Sequence, residues 1–97
     1  DEYFTYDKDN RVVRRLDASC DAKHGNIELA LKKFVKLIKE ERTDTFSMVL
    51  LAKLRMRITQ LQTPKEIAVT REILMAVLEI SPEHEQAKTL LGTLPQE

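Results

Sequence analysis

Residues 25–39 read GNIELALKKFVKLIK, and this stretch decides what kind of protein the chain is. Gly25 is the only glycine in the first 91 residues, and from Ile27 onward apolar residues recur three and four apart. Ile27, Ala30, Leu31, Phe34, Val35, Leu37 and Ile38 fall on one broad face of a helix. Lys32, Lys33, Lys36 and Lys39 hold most of the other side. Glycine takes the left-handed backbone of a helix terminus without a Cβ clash, so Gly25 predicts the end of a preceding helix. Asn26, whose short side chain can accept an orphaned N–H, predicts the cap of the next.

The same signals extend in both directions. Upstream, Val12, Val13, Leu16 and Cys20 share one helical face, which predicts a first helix from about residue 10 with that stripe in the core. Downstream, Glu40–Thr45 is polar and predicts a turn, with Asp44 or Thr45 as the next cap. A third helix is expected from about Phe46 to Leu61. Leu50, Leu51, Leu54, Ile58 and Leu61 form its main stripe, while Phe46, Met48, Val49, Ala52 and Met56 spread hydrophobicity around it. A helix apolar on several sides sits between neighbours, so this one is the expected centre of the core. Thr63-Pro64-Lys65-Glu66 combines a capping threonine, proline at the first helical position and glutamate at the third, and it opens a fourth helix reaching Ile80. Ser81-Pro82-Glu83 repeats the cap-and-proline pattern and predicts a short fifth helix carrying Ala87, Leu90 and Leu91.

The expected fold class is therefore all-α, with about five antiparallel helices, because short connections leave consecutive helices side by side. No segment shows the sustained alternation of a strand. The expected organisation is a single helical domain over residues 1–97. Residues 1–9 form an acidic, aromatic arm and residues 10–94 the helical hairpins.

Composition narrows the function. Sixteen Lys or Arg balance sixteen Asp or Glu over 97 residues, and 42% of the chain is hydrophobic, which excludes a disordered chain. No apolar run approaches the ~18 residues of a membrane span, so no membrane partner is expected. One Cys and two His leave no disulfide framework and too few ligands for an ordinary structural zinc site. Charge order says more than the total. Residues 32–57 carry eight basic and three acidic residues, whereas residues 66–97 carry two basic and six acidic. A basic middle between acidic flanks suits an acidic peptide. RNA is disfavoured, because few aromatics are present to stack bases.

Gly25 to Phe34 resembles the second-helix signature of tetratricopeptide repeats, in which a glycine precedes an alanine and, four residues later, an aromatic. Ala30 and Phe34 match those two roles. Ile80-Ser81-Pro82-Glu83-His84 is similar to that family's inter-repeat proline turn, and Ala87, Leu91 and Gly92 fall where its next first helix has a small residue and a Leu-Gly pair. Asp17 and Ala18 stand in place of that pair in the first helix, and Thr70 in place of the second alanine. Phe34 and Leu74 are 40 residues apart where the family's period is 34. The resemblance implies a helical hairpin array that binds a protein or peptide in a groove; a small irregular bundle is the alternative fold. In arrays that grip a carboxylate, a Lys and an Asn stand one turn apart. Arg15 and Ser19 occupy those positions here, and Ser19 lacks the amide, so that function is not carried over.

Other constellations have simpler readings. Cys20 and His24 are four apart, a spacing that can activate a thiolate, but Cys20 continues the Val12-Leu16 stripe and is expected as a buried thiol. Asp7 and Asp9 begin like a calcium loop, yet Val12 and Ala18 stand where it needs glycine and a bidentate glutamate. No phosphate cradle or catalytic motif is present in the sequence. The expectation is a noncatalytic protein-interaction module without a cofactor, with Arg15, Lys32, Lys36 and Lys53 as candidate partner-binding residues. The alternative is an oligomerisation or packing domain of a larger protein. The arm, with Tyr3, Phe4 and Tyr6, is expected to cover an exposed core edge or to dock a partner.

Overall fold

The computed structural model describes residues 10–94 and is all-α. The arm at residues 1–9 and the last three residues lie outside the described residues. Five helices follow in order: α1 (Arg11–Lys23), α2 (Ile27–Glu40), α3 (Thr45–Met56), α4 (Pro64–Ile80) and α5 (Glu85–Thr93).

Their ends are set by local chemistry. Asn10 caps α1, its side chain accepting from Val12 and Val13 N–H. Gly25, at φ +87°, ends the helix in a Schellman arrangement: its own N–H donates to the Ala22 carbonyl and the Asn26 N–H reaches back to Asp21. Asn26 itself departs from expectation. Its side chain makes no capping bond, and only its carbonyl joins α2, accepting from Ala30 N–H. The Schellman turn already fixes the Asn26 backbone, at φ −85° and ψ 60°, outside the extended geometry that usually presents a cap side chain. Asp44 caps α3 through Ser47 N–H, and Thr63 caps α4 through Glu66 N–H with Pro64 in the first turn.

Two boundaries correct the sequence reading. The third helix stops at Met56, because Ile58 is extended; a single 3-10 turn at Thr59–Leu61 follows. The Gln62 amide stabilises this break by donating to the Arg55 and Ile58 carbonyls, both at 2.9 Å. Ser81 does not open the last helix. It ends α4, and Ser81-Pro82-Glu83-His84 forms a turn closed by His84 N–H donating to the Ser81 carbonyl. Proline suits the second position of such a turn. His84 is the cap of α5, its Nδ1 accepting from Ala87 N–H at 3.1 Å.

α3 is the centre of the core, as its all-round hydrophobicity predicts. It contributes Leu51 and Leu54 to a cluster with Ala18, Ala30, Phe34 and Leu37, and Met48, Val49 and Ala52 to a second with Leu74, Val77, Ala87 and Leu94. Ile38 and Ile73 bridge the two. The first helix contradicts its predicted packing. Val12 is 57% and Leu16 62% exposed, Cys20 is exposed too, and the residue α1 buries is Ala18. At about 100° per residue, Ala18 lies roughly 120° around the helix from Val12, so the apolar stripe points away from the core.

Charge docks α1 instead. Arg14 makes a two-pronged contact with Glu40, at 2.6 and 2.9 Å, and holds that carboxyl below its ordinary pKa. Lys33 donates to Asp17 and Asp21, whose carboxylates raise its pKa. Arg11 and Arg15 both reach the buried Asp44.

Candidate protein-interaction groove

The stripe that α1 withholds from the core lines a groove. Val12, Arg15, Leu16 and Ser19 of α1 face Phe46, Val49 and Leu50 of α3 across a hollow of about 380 Å³. His84 and Gln86, at the start of α5, close one end. A second hollow, about 190 Å³, continues the first, sharing Ser19 and Leu50, and is flanked by Lys23, Lys53 and Arg57. N-terminal residues of α1, α3 and α5 meet at one end, and C-terminal residues of α1 and α3 at the other. α1 and α3 therefore run in the same direction, with α2 returning the chain between them.

The lining has a simple register. Val12, Leu16, Ser19 and Lys23 are spaced i, i+4, i+7 and i+11 on α1; Phe46, Leu50, Lys53 and Arg57 repeat that spacing 34 residues later. Both stripes begin apolar and end basic. Phe46 is 68% exposed, so the largest uncovered aromatic among the described residues sits at the apolar end.

A polar cluster fixes the wall of that end. Asp44 is buried, and its Oδ2 accepts from Arg11 Nη2 at 2.6 Å, Arg11 Nε at 3.0 Å and Ser47 Oγ at 2.7 Å. Its Oδ1 accepts from Ser47 N–H at 3.1 Å and Arg15 Nη2 at 3.2 Å. Burial pushes the carboxyl pKa up, but the Ser47 hydroxyl and N–H, with the two guanidinium groups, outweigh it and hold Asp44 below the ordinary value. Arg15 also donates through Nε to Ser47 Oγ and lies 5.2 Å from the centre of the Phe46 ring. Its charge is thus satisfied within the wall, and its guanidinium props Phe46 in place.

The four candidate partner-binding residues divide between two surfaces. Arg15 and Lys53 line the groove, while Lys32 and Lys36 lie with Val35 and Lys39 along the outer face of α2. Leu16, Phe46, Lys23 and Arg57 are groove residues that the sequence reading did not single out. The available signal was the i, i+4, i+7, i+11 pattern repeated at interval 34. It is masked because Val12 and Leu16 carry the spacing of an ordinary core stripe.

His24 turns its Nδ1 to the Cys20 carbonyl oxygen, 2.8 Å away, rather than to the thiol. Among the described residues, no group of three metal-ligating side chains converges, and no helix is long and apolar enough to cross a membrane. No protein family, curated protein or solved structure matches the chain.

Proposed function

We propose that the chain is a noncatalytic protein-interaction module, a tetratricopeptide-like hairpin array that holds a partner segment in the groove of α1, α3 and α5. One observation carries this reading: Val12, Leu16 and Phe46 are each more than half exposed, side by side on a face built by helices of common direction. Residues of this type contribute roughly 1.5–3 kcal/mol each when covered.

Spacing supports the array. The caps Asn10 and Asp44 are 34 residues apart, as are the fully buried Ala18 and Ala52. Ala30 and Phe34 correspond to Thr70 and Leu74 at interval 40, and all four are buried. The six additional residues fall in the 3-10 segment and the extra first turn of α4, an insertion between helices that leaves both hairpins intact. Thr70 replaces the small alanine without an unpaired hydroxyl, donating to the Glu66 carbonyl and accepting from Arg55 Nε.

The alternative, a packing domain that associates with itself or with the rest of a larger protein, draws on Val69, Met75 and Ile80, exposed on α4. A paired variant tests the first reading. Leu16→Glu/Phe46→Glu keeps the helical circular dichroism and melting cooperativity of the parent, because both residues lie outside the core. It loses the proteins that the parent retains from lysate. Retention of the same proteins by the variant sinks the groove reading, and a stable micromolar dimer in sedimentation that survives this variant favours the alternative.

A further inference from the structure

We infer that the groove selects an acidic amphipathic peptide segment, with large apolar side chains at the Val12–Phe46 end and carboxylates at the Lys23–Arg57 end. This rests on the groove reading and adds the chemistry and register of its occupant. Three observations carry it. First, Lys23, Lys53 and Arg57 are exposed at one end of the groove, and none of them has an ion pair or side-chain hydrogen bond among the described residues. Second, among the described residues no carboxylate lines either hollow, although Asp or Glu make up sixteen of the 97 residues of the chain. The acids of α1, Asp17 and Asp21, turn away to Lys33 on α2. Third, Arg15, the one Lys or Arg among the described residues that line the apolar end, is paired with Asp44. The field of the groove therefore grows from nearly neutral to cationic along its length.

Basic residues in the last turn of a helix also answer its dipole. A dipole explains their position along the helix, but not why both helices aim them at the groove with no acid between them among the described residues. Each stripe runs eleven residues from its first to its last position, about 16 Å at 1.5 Å per residue. Three helical turns, or five to six extended residues, span the same distance, so one short segment engages both ends at once. Lys32, Lys36 and Lys39 do not take part, since they lie on the outer face of α2.

The test is selection of a displayed library of random dodecapeptides against the full chain, repeated on Lys53→Glu/Arg57→Glu and on Leu16→Glu/Phe46→Glu. The parent is expected to enrich peptides in which a block of Asp or Glu adjoins Leu, Phe or similar residues. Replacing the acids of a selected peptide by Gln and Asn weakens its anisotropy-measured binding roughly tenfold, and raising salt weakens the acidic peptide more than the neutral one. The Lys53→Glu/Arg57→Glu protein shifts its selection toward basic peptides. Identical selections by the parent and this variant, or no acidic enrichment in the parent, overturn the inference. If the apolar double variant still loses those peptides, the groove reading stands alone; if nothing is selected by any protein, both fall. Two further outcomes assign the groove to another occupant and overturn the inference. One is a dimer dissolved by Leu16→Glu/Phe46→Glu. The other is tenfold tighter peptide binding after Tyr3, Phe4 and Tyr6 are changed to Ser in the full chain.

Discussion

Replacing Asp44 tests how the groove wall is held. The carboxylate is 4% exposed and accepts from Arg11, Arg15 and Ser47. Asn is nearly as good a helix cap as Asp, so Asp44→Asn keeps the bond from Ser47 N–H and removes mainly the charge. Charge-assisted hydrogen bonds contribute about 1.5–3 kcal/mol each, and stranding a fully buried partner costs about 3–5 kcal/mol. Here the Arg11 and Arg15 side chains are 21% and 18% exposed, and Glu40 and Glu41 stand 3.6 and 3.7 Å from Arg11 as substitutes. Their presence places the loss for Asp44→Asn at the lower end, about 2 kcal/mol. Asp44→Ala also loses the cap and costs about 1 kcal/mol more. The sign of the pH dependence follows from a folded-state pKa below the unfolded one, which is about 3.9. Stability from the charge is fully present above the unfolded value and is lost as pH falls through the folded one. Urea unfolding followed by circular dichroism should therefore show a constant gap between parent and Asp44→Asn from pH 7 to pH 5. The gap then narrows below about pH 4. A gap under about 0.5 kcal/mol at pH 7, or one unchanged at pH 3, refutes the role given to this carboxylate.

Substitutions at four further positions probe separate parts of the fold. Gly25→Ala meets no atom within 4 Å, so its cost is the left-handed backbone alone, about 1–2 kcal/mol in urea melts. A neutral result would place the residue outside that conformation. His84→Ala removes the cap of α5 and lowers stability by about 1 kcal/mol, whereas His84→Ser restores most of it; equal losses would deny the cap. Phe34→Ala empties a fully buried site and costs about 3–5 kcal/mol, while Leu16→Ser changes stability by less than about 0.5 kcal/mol. Similar losses in both would return the first stripe to the core.

The contrast between Phe34 and Leu16 shows where sequence periodicity reads true and where it stops. A period of 3.6 tells that apolar residues share a face, and for α2, α3 and α4 most of that face is buried because apolar neighbours stand on each side, although Val35, Phe46, Val69 and Ile80 stay exposed. It does not tell which face of a helix meets the core when a helix has two that compete. α1 offers Val12 and Leu16 on one side and Arg11, Arg14, Ala18 and Asp21 on another. The second side wins because α2 and the turn before α3 present Lys33, Glu40 and Asp44, whose charges those residues satisfy. Those partners are 12 to 33 residues away in sequence, and no local spacing rule connects them. Cys20 is exposed rather than buried for the same reason, since it continues the stripe that faces outward.

The outward stripe of α1 bears on the proposed function. Packing Val12 and Leu16 inward would cover apolar surface, yet Ala18 is buried and α1 is bound through ion pairs whose exposed members contribute little each. Such a helix holds its position by charge geometry while its hydrophobic side stays uncovered. α3 does the same on a smaller scale: buried on nearly every side, it leaves Phe46, Lys53 and Arg57 outward, and Arg15 sits against the Phe46 ring rather than burying it. Two helices in parallel, each lining the groove with the same four positions and each passing from apolar to basic, build one surface. In the reading proposed above, covering the apolar end supplies the binding energy and the basic end selects a segment that carries acids.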